Sequence, residues 1–192
     1  MTGSTAERIV DEARDLIMTR GYNGFSYADI AEAVGIRKAS IHHHFPAKSD
    51  LAKAVIEETR AVIRAQTELL AAAEPDAGDQ LRGYAGYWER CILDNSAPFC
   101  VAGMLAAELP SLPDDLVASV RAYFADLSGW LTRLLELGAQ QGSVTLERSA
   151  QEEADAFLSA VYGAMLSARA FGDPGRFGSV VETLLSRVVR IH

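Results

Sequence analysis

A short basic stretch near the amino terminus carries the clearest candidate for chemistry in this sequence. Residues 36–49 contain Arg37, Lys38 and Lys48 and no acidic residue. Lysine and arginine neutralise nucleic-acid phosphates, and together with serine and histidine they can hydrogen-bond to base edges. The stretch therefore predicts a surface for nucleic acid.

The formal net charge of −8 on the 192-residue chain argues against such a surface when taken alone. The charge is unevenly distributed, however. Residues 1–50 hold six Lys/Arg and seven Asp/Glu, whereas residues 51–192 hold twelve and nineteen. The negative balance therefore lies mostly outside the basic stretch.

Three consecutive histidines, residues 42–44, suggest a metal site at first sight. Successive residues of a helix point about 100° apart, so three in a row cannot converge on one ion as an i, i+4 pair can. We expect no metal here.

Two short helices separated by a glycine are predicted to position the basic stretch. Ser26 can cap a helix from Tyr27 to Val34, because Asp29 stands in the reciprocal capping position. Gly35 ends that helix, and a second helix extends from about Lys38 to His44, where Pro46 prevents its continuation. This is the helix-turn-helix arrangement, in which the second helix enters the major groove of DNA.

The same region resembles the TetR family of bacterial transcriptional repressors. The resemblance rests on these elements, which occur in order: Gly21-Tyr22, Phe25-Ser26, Asp29-Ile30-Ala31, Gly35-Ile36, Lys38-Ala39-Ser40, His44-Phe45, Pro46-Ala47-Lys48 and Asp50-Leu51. It implies that Lys48 contacts a phosphate and that His44 and Phe45 pack against the core of the three-helix DNA-binding head, residues 1–50. His42 stands where the family usually has tyrosine.

The expected DNA contacts combine this resemblance with the chemistry of the side chains. They are Ser26, Tyr27, Arg37, Lys38, Ser40, His42, His43 and Lys48. For any one of them, a simple solvated side chain is the alternative.

The remainder of the chain predicts further helices and almost no strand. A long helix from about Lys48 to Ala73 follows the head, and proline and glycine clusters divide the rest into shorter helices. We expect an all-α fold of about nine helices, with a three-helix DNA-binding domain over residues 1–50. Residues 51–192 would form a helical ligand-binding and dimerisation domain, which resembles the family in layout.

Aromatic and sulfur-containing residues on helical faces suggest an apolar pocket with a few polar groups. A plain core is the alternative for each of them. The candidates for ligand binding are Tyr84, Trp88, Phe99, Met104, Glu108, Phe124, Tyr162, Met165 and Arg169.

The last two predicted helices are apolar on more than one face, which suggests that one face is covered by a second copy of the chain. The candidate interface residues are Phe157, Val161, Val181, Leu184, Leu185 and Val188. A homodimer would suit a protein that reads two half-sites of a palindromic operator. A large core within one chain is the alternative.

These patterns favour a transcriptional regulator, most simply a repressor released from its operator by a small-molecule effector. Two alternatives remain, a redox sensor using Cys91 or Cys100 and a helical binding module that does not bind DNA. No catalytic motif is visible, so we expect neither enzyme activity nor a cofactor. Without an apolar run of about 18 residues or a signal peptide, we expect a cytoplasmic protein.

Overall fold

A computed structural model describes residues 3–190 of the chain. Within that range there are nine α-helices: α1 (Thr5–Arg20), α2 (Tyr27–Val34), α3 (Lys38–His44), α4 (Lys48–Ala73), α5 (Ala77–Leu93), α6 (Val101–Ala107), α7 (Asp114–Gln141), α8 (Ala150–Phe171) and α9 (Gly175–Val188). A 3₁₀ turn, Leu109–Ser111, follows α6. The expected all-α fold is confirmed.

Local sequence signals explain several helix ends. Ser26 with Asp29, and Ser149 with Glu152, form reciprocal capping boxes at the starts of α2 and α8. Gly35 closes α2 in the left-handed conformation, with φ 73°. At the start of α1, Ser4 and Glu7 form a third capping box.

The segment around residue 144 contains an isolated β-bridge and no strand. Val144 and Val189 make one isolated antiparallel bridge, which ties the α7–α8 connection to the end of α9. In the described part of the chain, no helix has the length and apolarity needed to cross a membrane.

The chain divides into two compact units, each with its own core. The first comprises Met1–Val62 with Cys100–Phe124, and the second comprises Ile63–Phe99 with Ala125–His192. The DNA-binding head, predicted as residues 1–50, is thus part of a larger unit that also contains α6, the 3₁₀ turn and the start of α7.

The core of the first unit explains how α3 is held. Ile9, Ile17, Ile30 and Ile41 are each completely buried. Ile41 belongs to α3 and is its only buried residue, so one side of this short helix is anchored while the rest faces outward.

Candidate functional site

The outward side of α3 carries the basic stretch. Arg37, Lys38, His42 and His43 are exposed, and Ser40 is half-buried beside the anchoring Ile41. No described residue forms an ion pair with Arg37 or Lys38. The surface therefore presents cations that are available to phosphates, as groove recognition requires.

His42 is held in place at the end of this surface. Its ring lies 4.8 Å from the ring of Tyr27 in an edge-to-face arrangement, and Nδ1 is 3.3 Å from the carbonyl oxygen of Pro46. These contacts hold the imidazole in place, while the side chain as a whole remains exposed. The head thus presents a positioned histidine.

His44 does not pack into the core of the head as expected. It is exposed, and Phe45 is only half-buried, because Ile41 alone turns inward from this seven-residue helix. Within residues 3–190, no group of three His, Cys, Asp or Glu side chains is arranged to hold a metal ion.

Ser26 and Tyr27 contribute mainly to the fold of the head. The Ser26 hydroxyl accepts a hydrogen bond from the backbone N–H of Ala28 and donates to Asp29 Oδ2 at 2.7 Å. The hydrogen bonds that Asp29 accepts from the hydroxyl and the backbone N–H of Ser26 lower the pKa of its carboxyl. The Tyr27 hydroxyl donates to the carbonyl of Phe45 at 2.9 Å. Both hydroxyl groups therefore already have partners within the head.

Lys48 also turns toward the head. Its ammonium donates to the carbonyl of Phe25 and lies 4.0 Å and 4.7 Å from the ring centroids of Phe25 and Tyr22. Burial lowers the pKa of Lys48, and the nearby carboxylates of Glu108 and Asp29 oppose that shift. In this arrangement the lysine reinforces the turn between α1 and α2.

Glu108, a candidate for ligand binding, lies at the same turn. Its carboxylate accepts hydrogen bonds from the backbone N–H of Tyr22 at 2.5 Å and of Asn23 at 3.1 Å. The Asn23 side chain donates both to Glu108 and to the hydroxyl of Ser111. Glu108 therefore serves as an anchor that attaches the end of α6 to the head.

The other ligand candidates are distributed over both units. Met104 and Phe124 belong to the first unit, and Tyr84, Trp88, Phe99, Tyr162, Met165 and Arg169 belong to the second. Several pack against aromatic rings inside the second unit. Tyr84 lies 5.3 Å from the ring of Trp130, and the Arg169 guanidinium lies 5.3 Å from the ring of Phe99.

Trp88 has an unusual environment. Its side chain is 4% exposed, and its indole Nε1 has no hydrogen-bond partner among the described residues. An unsatisfied buried donor costs about 1 to 3 kcal/mol. An acceptor supplied by a bound molecule would remove that cost.

A cavity of about 250 Å³ opens between the end of α4 and α5 in the second unit. Of the predicted ligand residues only Tyr84 lines it; the others are Ile63, Gln66, Thr67, Leu69, Leu70, Gly83, Tyr87 and Arg90. The sequence prediction missed Arg90. Its spacing of three from Tyr87 and seven from Gly83 places these residues on one helical face, which was the available signal.

Most of the predicted interface residues are buried within the chain itself. Phe157, Val161, Val181 and Val188 are at most 8% exposed, while Leu184 and Leu185 are half-buried. The large apolar side chains that α8 and α9 expose are instead Leu166, Phe171 and Val180. These three side chains are accessible for contact with a second chain.

Both cysteines are reduced and buried, Cys91 in the second unit and Cys100 in the first. The sulfur of Cys100 lies 3.6 Å from the hydroxyl oxygen of Tyr123. Neither thiol is presented at the surface, so the structure adds nothing to the redox alternative.

Comparison with known proteins agrees with this geometry. Residues 9–55 match the family model described as bacterial regulatory proteins, tetR family. A TetR-family transcriptional regulator from Agrobacterium tumefaciens is 49% identical, with a TM-score of 0.94 over 96% of this chain and 97% of that one. The chain belongs to the TetR family. It is a DNA-binding transcriptional regulator, and members of this family are not enzymes.

Two further relatives show how far this TetR fold extends. A TetR regulator from Legionella pneumophila is 30% identical, with a TM-score of 0.88 over 97% of this chain and 98% of that one. The Escherichia coli HTH-type transcriptional repressor NemR is 22% identical over 86% of this chain and 84% of its own length.

Proposed function

We propose that this TetR-family regulator is a repressor that binds a palindromic operator as a homodimer and is released by a small-molecule effector. The cationic, outward side of α3, anchored by Ile41 and flanked by the positioned His42, carries the proposal. Arg37 and Lys38 would bind phosphate or guanine, and Ser40, His42 and His43 would contact base edges. Such a protein would act in the cytoplasm, where bacterial DNA is transcribed.

The second copy would dock on the surface of α8 and α9. Leu166, Phe171 and Val180 are 59%, 66% and 42% exposed, so both helices present large apolar side chains to solvent. A self-complementary contact there would make a four-helix interface around a two-fold axis. The half-sites of the operator would then be separated by about one turn of DNA, roughly 34 to 36 Å.

Effector control would act by linkage. The protein would have one conformation that binds DNA best and another that binds the effector best. An effector that binds the second unit would stabilise the latter conformation and so weaken DNA binding by the first unit. The unpaired Nε1 of Trp88 supports a ligand with a hydrogen-bond acceptor in the second unit.

Selection of bound fragments from random duplex DNA by the full chain tests the proposal. We expect enrichment of a palindrome, bound with steep salt dependence. The matched variant with Arg37→Ala and Lys38→Ala should fold normally and lose the enrichment, because both residues are exposed. Without any enrichment by the wild-type chain the proposal would be wrong, and enrichment of a single half-site would contradict the dimer.

A further inference from the structure

We propose that the cavity between α4 and α5 binds an amphipathic organic anion, with the Arg90 guanidinium pairing with the carboxylate. The inference rests on the proposed function, because the anion would be its effector. It goes further in naming a site and a chemical class.

The apolar side chains that line the cavity favour a ligand with a large apolar part. Ile63, Leu69 and Leu70 line it from α4, and the rings of Tyr84 and Tyr87 line it from α5. Leu69 is 69% exposed, which is a large exposed fraction for an apolar side chain. Covering such side chains with the apolar part of a ligand removes apolar surface from water, which favours binding.

The packing of α4 against α5 determines the shape of the cavity. Only three residues join α4 to α5, so the two helices form an antiparallel hairpin. Near the closed end of the hairpin, a Cβ at Gly83 would lie 2.8 Å from Leu70 Cδ1, so glycine permits the close approach of the helices there. Ile63 and Arg90 lie toward the other end of the same lining.

The positive charge in the lining of the cavity favours an anionic ligand. Arg90 is the one charged residue among those that line the cavity, and no acidic residue lines it. Its Nη1 would be 3.6 Å from a Cβ on Gly86, so the guanidinium lies back along α5. Asp94, one turn further on, is close enough to affect Arg90 electrostatically, but no described residue forms an ion pair or hydrogen bond with the guanidinium.

An unpaired guanidinium beside an apolar cavity suits a carboxylate. The planar fork of arginine matches the two oxygens of a carboxylate, and a charge-assisted pair of this kind is stronger than a neutral hydrogen bond. Gln66 and Thr67 on the facing helix can supply further polar contacts. A cation, by contrast, would meet the like charge of Arg90.

Calorimetry with three probes tests this site in the full chain. The probes are 4-phenylbutyrate, its neutral amide 4-phenylbutanamide, and choline as a cation. We expect the carboxylate to bind at least about tenfold more tightly than the amide, and choline not to bind. Equal affinity for carboxylate and amide, or no binding of the carboxylate, would overturn the proposal.

Two substitutions at Arg90 test whether its positive charge binds the carboxylate. Arg90→Gln should abolish the preference for the carboxylate over the amide, and Arg90→Lys should retain part of it. Arg82→Gln is the matched control, because Arg82 is exposed on the same helix and pairs with Asp79 at 2.6 Å. A preference that survives in Arg90→Gln, or that disappears equally in Arg82→Gln, would show that the carboxylate binds elsewhere.

A DNA readout separates this inference from the function on which it rests. If the wild-type chain selects no DNA, the proposed function fails, whereas calorimetry still reports on the anion site. If 4-phenylbutyrate binds through Arg90 but leaves the affinity for the selected DNA unchanged, the proposed effector role is wrong. We expect the carboxylate to weaken DNA binding of the wild type and of Arg82→Gln, but not of Arg90→Gln.

Discussion

The backbone N–H of Tyr22 donates a 2.5 Å hydrogen bond to Oε2 of Glu108, a residue 86 positions further along the chain. The other carboxylate oxygen accepts from Asn23. The Glu108 side chain, near the end of α6, thus accepts hydrogen bonds from two backbone N–H groups in the turn between α1 and α2. These donors have no partner within a helix. This attachment explains why α6 belongs to the same compact unit as the DNA-binding head.

Removal of the Glu108 charge should destabilise the first unit. Glu108→Gln keeps the shape of the side chain but replaces one acceptor oxygen with an NH₂ group that faces a backbone donor. Because hydrogen bonds to charged groups contribute about 1.5 to 3 kcal/mol, we expect a loss of roughly that size in urea unfolding. The exposed Glu32→Gln on α2 is the control, and equal stability of the two variants would contradict the anchoring role.

Gly21 should tolerate no side chain at this attachment. Its φ of 77° and ψ of 173° belong to a region populated almost only by glycine, and a Cβ would lie 2.6 Å from Glu108 Oε2. We expect Gly21→Ala to lower the free energy of unfolding by more than the 1 to 2 kcal/mol typical of left-handed alanine.

Gly35→Ala provides the comparison for Gly21. Gly35 also has a positive φ, 73°, but a Cβ there would have no neighbour within 4 Å. Gly35 has a ψ of 39° and lies in the left-handed helical region, so the difference between the two variants in urea unfolding measures the less accessible backbone region of Gly21 together with the contact with Glu108. If Gly35→Ala proves as harmful as Gly21→Ala, backbone strain alone accounts for both.

Local signals in the sequence were sufficient for the helices but not for this attachment. Ser26 with Asp29 caps α2 as predicted, because both partners lie within four residues. The sequence places Glu108 among the ligand candidates, because nothing in its own neighbourhood indicates that Tyr22, 86 residues away, is its partner. Periodicity likewise shows that α8 has several apolar faces, but it cannot show that Phe157 and Val161 face the chain's own core while Leu166 faces outward.

Tyr27 should make the head sensitive to alkaline pH. Burial, followed by the charge of Asp50, raises the pKa of Tyr27 from 10.0 to about 12. The unfolded chain therefore loses this proton first, so the stabilisation is complete below pH 10 and is lost as pH rises toward 12. We expect the stability difference between the wild type and Tyr27→Phe, measured by urea unfolding, to shrink across that range. A constant difference would contradict the assignment.

Lys48 combines a structural contact with the expected phosphate contact. Lys48→Met retains the aliphatic stem but removes the ammonium that lies on the Phe25 carbonyl and near two aromatic rings. If the ammonium also binds phosphate, DNA affinity should fall for all sequences and the slope of log K against log salt should decrease by about one.

The matched control for Lys48 is Lys53→Met. Lys53 also lies on α4, but it pairs with Asp115 at 3.1 Å. Fluorescence anisotropy at several salt concentrations gives both slopes. A slope for Lys48→Met that equals the wild-type slope would show that Lys48 serves only the fold of the head.

The outward face of α8 should determine the oligomeric state. In a two-fold interface a substitution occurs twice, so Leu166→Glu would place two carboxylates in an apolar contact that they can neither hydrate nor pair. We expect dimerisation to weaken on the order of 100-fold or more, which converts the protein to a monomer in sedimentation equilibrium and greatly weakens its binding to a palindrome. Leu93→Glu on α5 is the control, since Leu93 is 58% exposed and Leu166 is 59% exposed. If both variants remain dimers, the interface lies elsewhere; if both become monomers, general destabilisation and not the α8 surface is responsible.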